Sequence, residues 1–423
     1  MGPQQALAGL VFLLALAAIL IRPRRLPEAA AAAVGGALML AVRAVSPAQA
    51  LGALLGEWNL FLFFTGLMLV SGLADAAGFF EAAGVLAAAV ARGSGRGLLL
   101  AVFAAGALIT TFLSNDATAL ILTPVVYAVV TRLRLPPLPY LFATTFIADT
   151  ASMTLPVSNP INVLVDDRLH LSLGVYAGHL LGASLAVVAL NALAFVLVFR
   201  RPTAVRFHLE WRAALAAAVR DRRLLRLTCA GLAVLAVGYL LASAMGLPLG
   251  PVAVAGALLL AAMAVAVRRL DLRAVREHFS LSLLVYVAGL LVLVRGVEAA
   301  GLTGALVERL TAPVTGPVGA VGAGLVGGAV LANLLNNVPA TLVLLSGAPA
   351  AHLRLPFALG VLAGADLGPN LTPVGSLSTM LWLVIVRRRG QQVSTLDYLR
   401  LGATITPGLL LAAGLALAAS FRP

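Results

Sequence analysis

Apolar stretches of roughly 17 to 25 residues recur along the whole 423-residue chain, and nothing else in it constrains the fold so tightly. A run of that length matches the hydrocarbon thickness of a bilayer crossed by an α-helix. The runs are rich in Ala, Leu, Gly and Val and are apolar on every face, so the period-two alternation of a transmembrane barrel strand is missing. With only 11% charged residues and a mean hydropathy of +1.04, the expected fold class is an all-α polytopic membrane protein.

Ten crossing segments are expected near residues 5–21, 29–46, 59–79, 138–165, 173–199, 227–244, 251–267, 281–300, 356–386 and 401–419. Two further stretches, 98–131 and 317–348, are too long for one span and too short for two, and polar residues interrupt each. They read as re-entrant hairpins that enter and leave on one side. The first run precedes the basic cluster Arg22, Arg24 and Arg25, the reverse of a secretory signal, and is taken as a retained span.

All 29 basic residues are arginines, and the net charge of +13 falls between the spans. Alternating ten spans from an external N-terminus leaves 23 arginines inside, five outside and Arg295 within a span, as the positive-inside rule prefers. The segment "FRRPTAVRFHLEWRAALAAAVRDRRLLRL", from Phe199, is therefore expected to face the cytoplasm and anionic lipid; nucleic acid is not an expected partner. The single cysteine, Cys229, excludes an internal disulfide and a cysteine-built metal site. No cofactor and no fixed metal are expected.

The chain also repeats itself. "LFLFFTGLMLVSGLADAAG" from Leu60 aligns with "LLVYVAGLLVLVRGVEAAG" from Leu283, so that Gly66 and Gly78 match Gly289 and Gly301 at an offset of 223. Asn115 matches Asn337 at 222, while Asp149 and Pro156 match Asp366 and Pro373 at 217. Five crossings separate the copies, which makes the second inverted relative to the first. Inverted repeats with interrupted helices are the architecture of secondary transporters, with the site at the repeat interface. The expected division is 1–56 for N-terminal scaffold spans, 57–200 for the first repeat, 201–279 for a basic loop and connecting spans, and 280–423 for the second repeat.

The polar interruptions need a reason, because a helix broken within a bilayer is tolerated only where its freed backbone groups are buried in protein or line an aqueous cavity. Ser114, Asn115 and Asp116 would tip the first hairpin, and Asn336 and Asn337 the second. Pro156 and Pro160 would break one crossing span, and Pro369 and Pro373 another. An intramembrane carboxyl costs about 2.5 to 3.5 kcal/mol and is read as functional, which selects Asp116, Asp149 and Asp366 as proton-coupling candidates. Kinked helices whose polar side chains merely repair the backbone would explain one motif, but not four in two symmetric pairs. Arg, Lys and His are absent from the four motifs, which favours a cation, a proton or a neutral polyol-like solute over a multiply charged anion. Asp75 and Glu298 are symmetric partners near span ends and read as structural, with Arg295 one turn from Glu298.

At "SNDATALILTPVV" (114–126), "FIADTASMTLPVSNPINVLV" (146–165), "LLNNVPATLVL" (334–344) and "ADLGPNLTPVGSLSTMLWL" (365–383) the sequence resembles the bacterial arsenite and antimonite efflux permeases, ArsB type, of the ion transporter superfamily. That resemblance implies scaffold bundles, two hairpins and an elevator-like carrier in the cytoplasmic membrane, exporting trivalent arsenic or antimony hydroxide against protons, and no enzymatic activity. It puts Asn115, Asp116, Asp149, Asn336, Asn337 and Asp366 at the site; Ser114, Thr118, Ser158, Asn159, Thr372 and Ser376 complete the candidate set for substrate binding. It also allows a soluble arsenite-stimulated ATPase as a partner on the arginine-rich loops. The rival reading is a sodium/proton antiporter of the same superfamily. An intramembrane aspartyl protease would also use two aspartates, but the inverted symmetry and proline breaks speak for transport.

Overall fold

The computed structural model describes residues 3–21, 26–219, 221–347 and 349–421; Arg22, Arg24, Arg25, Arg220 and Arg422 lie outside the described residues. The described residues form an all-helical polytopic membrane fold with no named strand, and eight helices are long and apolar enough to cross a bilayer. Leu108, Leu193, Leu258 and Leu411 are exposed on their outer faces, which suits lipid.

The first half runs α1 (Pro3–Ile21), α2 (Glu28–Ala41), α3 (Pro47–Gly56), α4 (Trp58–Ala76), α5 (Phe79–Val90), α6 (Gly95–Phe112), α7 (Asn115–Ala117), α8 (Thr123–Arg132), α9 (Leu138–Thr150), α10 (Pro160–Leu169) and α11 (Leu173–Val198). A π turn, Thr118–Leu122, joins α7 to α8. After the short α12 (Trp211–Ala218), the second half runs α13 (Arg222–Ala244), α14 (Leu249–Ala266), α15 (Leu272–His278), α16 (Leu281–Ala299), α17 (Leu302–Thr311), α18 (Pro317–Leu335), α19 (Asn337–Leu345), α20 (Ala351–Leu367), α21 (Leu377–Arg388) and α22 (Thr395–Ala419). The hairpins are thus α6 with α7–α8, and α18 with α19. The broken spans are α9 with α10, and α20 with α21.

The halves exchange partners. A Cβ on Gly66 of α4 would lie 2.5 Å from Ala253 of α14, in the second half, while a Cβ on Gly289 of α16 would lie 2.6 Å from the carbonyl oxygen of Ala32 of α2, in the first. Only glycine permits either approach, as at small-residue seams between helices in lipid. α1 and α2 therefore stand to α16 as α13 and α14 stand to α4, and these helix pairs share the symmetry although the sequence division leaves them outside the repeats. An aromatic group closes the opposite side: Trp382 of α21 donates its indole N–H to Leu141 O at 2.9 Å and lies 5.3 Å from the ring of Phe142. The short helices α5 and α17 each follow a glycine at positive φ, Gly78 at 77° and Gly301 at 73°. Asp75 meets His278 at 3.5 Å, and Arg295 pairs with Glu298 at 2.8 Å.

Candidate functional site

Three of the four half-helices that begin at a break begin with a side-chain cap, and the four N-termini converge. Ser114 caps the helix running from Asn115, accepting from Ala117 N at 3.1 Å; Asn159 caps α10, accepting from Ile161 N at 3.2 Å. Ser376 caps α21 through Thr379 N at 3.1 Å, and Asn336 turns α18 into α19 in a single residue. Proline explains the second start directly, since Pro160 at the first helical position has no N–H to lose. Orphan N–H groups and partial positive charge at four helix ends make the meeting point receptive to oxygen ligands.

The meeting point is a pocket of about 20 Å³, the size of a water molecule, lined by Asn115, Asp116, Asn159, Asn336, Asn337, Ser376 and Ser378, with Phe64 and Tyr286 from the flanking helices. It adjoins a cavity of about 970 Å³ that reaches Ser114 and Asp116 and is walled by α4 and α16. Phe64, Asp116, Leu283 and Tyr286 line both, so the small pocket is the inner end of the large one. Cations are absent from the small pocket, but His278, Arg387 and Arg388 line the large cavity, a feature the four motifs alone do not reveal.

Behind the pocket, the caps serve a second purpose. Asp149, at the end of α9, accepts from Ser376 Oγ at 3.3 Å and from Thr379 Oγ1 at 2.9 Å, both from the other half. Asp366, at the end of α20, accepts from Asn159 Nδ2 at 2.7 Å, again from the other half. Asn159 and Ser376 are themselves related by the 217-residue offset that relates the aspartates. Each buried carboxyl is therefore held by the N-cap of the opposite repeat. The second oxygen of Asp366 is buried and has no hydrogen-bond partner among the described residues.

The remaining candidates sit elsewhere. Thr118 shares a 2.8 Å hydrogen bond with Thr110 and stitches the arms of the first hairpin. Ser158 donates to Thr111 O at 3.1 Å, and Thr372 donates to Asn333 Oδ1 at 2.7 Å; both fasten breaks to neighbouring helices. Ser378 and Thr379 were missed as candidates, although hydroxyls two and three residues past a cap were there to be read. Asn115 Nδ2 reaches Ser378 Oγ at 3.4 Å, and its Oδ1 accepts from Asp116 N at 2.9 Å. Among the described residues, no cluster of three or more His, Cys, Asp or Glu side chains could hold a metal ion.

Broken helices, paired hairpins and a site at the interface of inverted halves define a secondary transporter. A solved transporter, YdaH of Alcanivorax borkumensis, has a similar fold, with a TM-score of 0.55 at 18% identity over 88% of this chain and 86% of that one. The chain belongs to the arsenical pump membrane protein family, ArsB, whose family model matches residues 7–418. It is 30% identical over 426 residues to the arsenical pump membrane protein of Escherichia coli K12, covering 98% of this chain and 99% of that one. An uncharacterised transporter of Mycobacterium tuberculosis is 29% identical over 83% of each chain.

Proposed function

We propose that this protein exports trivalent arsenic and antimony, as their neutral hydroxides, across the cytoplasmic membrane in exchange for protons. The observation that carries the reading is the pocket itself: the polar side chains that line it are amides, hydroxyls and one carboxyl, with no cation and no cysteine among its lining residues. Arsenious acid presents three hydroxyls, each able to donate and to accept, which Asn and Ser side chains complement. Hydrogen bonds of about 1 kcal/mol each let the solute leave again, as a carrier requires.

The arginine-lined cavity is the cytoplasmic side in this reading, so the solute is taken up from within and both termini lie outside. A cysteine placed at Ala217 on a Cys229-free chain then labels only from the cytoplasmic side. The hairpins and broken spans form the carrier, moving elevator-like against a scaffold of α1, α2, α4, α13, α14 and α16. The arginine-rich stretch around α12 is the face offered to a soluble ATPase, and co-reconstitution with such a subunit tests it by stimulated efflux.

Asp149 and Asp366 carry the proton. Exchanging one neutral solute for one proton draws about 2.3 kcal/mol per 100 mV and about 1.4 kcal/mol per pH unit, together enough for a concentration ratio of several hundred. Replacing Asp149 or Asp366 by Asn keeps the shape and removes the titrating group. Arsenite accumulation in everted vesicles is expected to fall to the passive level, while exchange persists; undiminished proton-driven accumulation in both variants rejects the assignment. Sodium/proton antiport is a second reading, favoured by the two buried carboxyls, Asp149 and Asp366, one from each half, and sodium dependence in the same vesicles separates the two.

A further inference from the structure

Helix α16, which walls the inward cavity, also walls a second one beyond the site. α16 lends Tyr286 to the site and Leu291, Val294 and Arg295 to a separate cavity of about 480 Å³, and α19 likewise gives Asn337 to the one and Leu342 to the other. At a rise of about 1.5 Å per residue, Tyr286 and Leu291 stand about 7.5 Å apart along the helix, so the far cavity stops little more than one turn short of the pocket. Buried Val287 and Leu290 fill that interval.

Two polar bridges cross the far end. Arg168, at the end of α10, meets Glu57 at 3.1 Å, just before α4 begins. Its neighbour Asp167 accepts from Asn59 Nδ2 with both oxygens, at 2.8 and 2.9 Å. The Asn59 amide cannot turn away, because its Oδ1 accepts from Gly250 N of α14 at 2.7 Å. Glu57 and Asn59 are buried, at 8% and 3% exposure, so neither bridge is a fully solvated surface pair of the kind that contributes little.

We infer that Glu57 and Asn59 on the scaffold and Asp167 and Arg168 on the carrier form an outer latch, and that the far cavity is the exit vestibule joined to the pocket when the latch parts. The inference rests on the proposed transport reading, since it needs α10 to move against α4. With the latch shut and the inner cavity open, the structure is the loading state.

Accessibility from outside tests this. A cysteine is introduced by Leu290→Cys, in the buried interval between the far cavity and the pocket, in a Cys229→Ser chain, reconstituted in liposomes of known orientation, and treated with an impermeant maleimide in the absence of any arsenic. Asn59→Asp keeps the acceptor for Gly250 and replaces the donor with an oxygen facing Asp167; Glu57→Gln is the milder variant should the first fail to fold. Each is expected to raise the labelling rate about tenfold, the effect of losing one hydrogen bond to a charged group. Exchanging the pair, Glu57→Arg with Arg168→Glu, should return the rate toward the parent. Parental rates in both single variants would overturn the latch, and so would acceleration that persists in the exchanged pair, which marks a loosened fold. Because no solute is present, latch-dependent labelling in a protein that moves no arsenite would sink the proposed substrate and leave the latch standing.

Discussion

The two hairpins follow one plan and are held in different ways. In the second, α18 and α20 touch backbone to backbone: a Cβ on Gly328 would meet Val361 O at 2.5 Å, and one on Gly364 would meet Ala329 N at 2.8 Å. Its tip is docked as well, with Asn337 N donating to Gly375 O at 2.9 Å and Asn333 donating to Gly368 O at 2.8 Å. In the first, a Cβ on Gly106 of α6 would meet only side-chain atoms, Ile147 Cγ2 at 2.5 Å and Thr118 Cγ2 at 3.6 Å. The bond that ties its tip to the other half, Asn115 to Ser378, is long, and a π turn follows. Only this tip carries a carboxyl, Asp116, and only this hairpin lines the large cavity. The difference teaches a division of labour: the second hairpin is fastened backbone to backbone onto α20, and the first is the looser one, facing the large cavity.

The largest expected effect breaks the seam. Gly364→Ala drives a methyl into main-chain atoms that cannot rotate aside, so a loss of about 3 kcal/mol or more and little monodisperse protein are expected. Gly106→Ala asks only for a new rotamer of Ile147 and should cost about 1 kcal/mol. Thermal unfolding in detergent measures both, and equal losses would erase the contrast.

Asn115→Ala and Asn337→Ala sharpen it at the tips. Losing two or so hydrogen bonds of about 1 kcal/mol each should raise the half-saturation for arsenite roughly tenfold to thirtyfold in either variant. Only Asn115→Ala should also lower the unfolding temperature, because Asn337 docks through its main chain, which alanine retains. If Asn337→Ala destabilises equally, the second tip is not held by its backbone.

The smallest effect concerns Asn336, whose φ of 81° and ψ of 156° lie where glycine is at home and other residues are strained. Asn336→Gly is expected to stabilise the fold by up to about 1 kcal/mol, seen as a small rise in unfolding temperature, while lowering arsenite affinity. An unchanged or lower unfolding temperature would mean that the asparagine is not strained.

Much of this was legible in the residues. Apolar run length located the spans, prolines located the broken ones, and the polar tips fell within a residue or two of Ser114 and Asn336. What could not be read was direction. Thr118, Ser158 and Thr372 have the same chemistry as pocket residues, yet their hydroxyls are spent on Thr110, Thr111 O and Asn333. Helix N-termini consume short polar side chains, and composition does not say which are left over. His278, Arg387 and Arg388 reach the cavity from distant segments that only packing brings near. The kinship of α1 and α2 with α13 and α14 was hidden because its marks are alanine and glycine, which in this chain occur everywhere.

The exchange of caps between halves has a consequence for how the protein is made. Asp149 emerges from the ribosome 227 residues before Ser376 and 230 before Thr379, the two side chains that hold it. At about 5 to 20 residues per second, that interval lasts roughly ten to fifty seconds. Through that wait the membrane receives a carboxyl whose hydroxyl partners do not yet exist, and the N-terminal half stays unfinished, however complete its helices, until about nine-tenths of the message has been read.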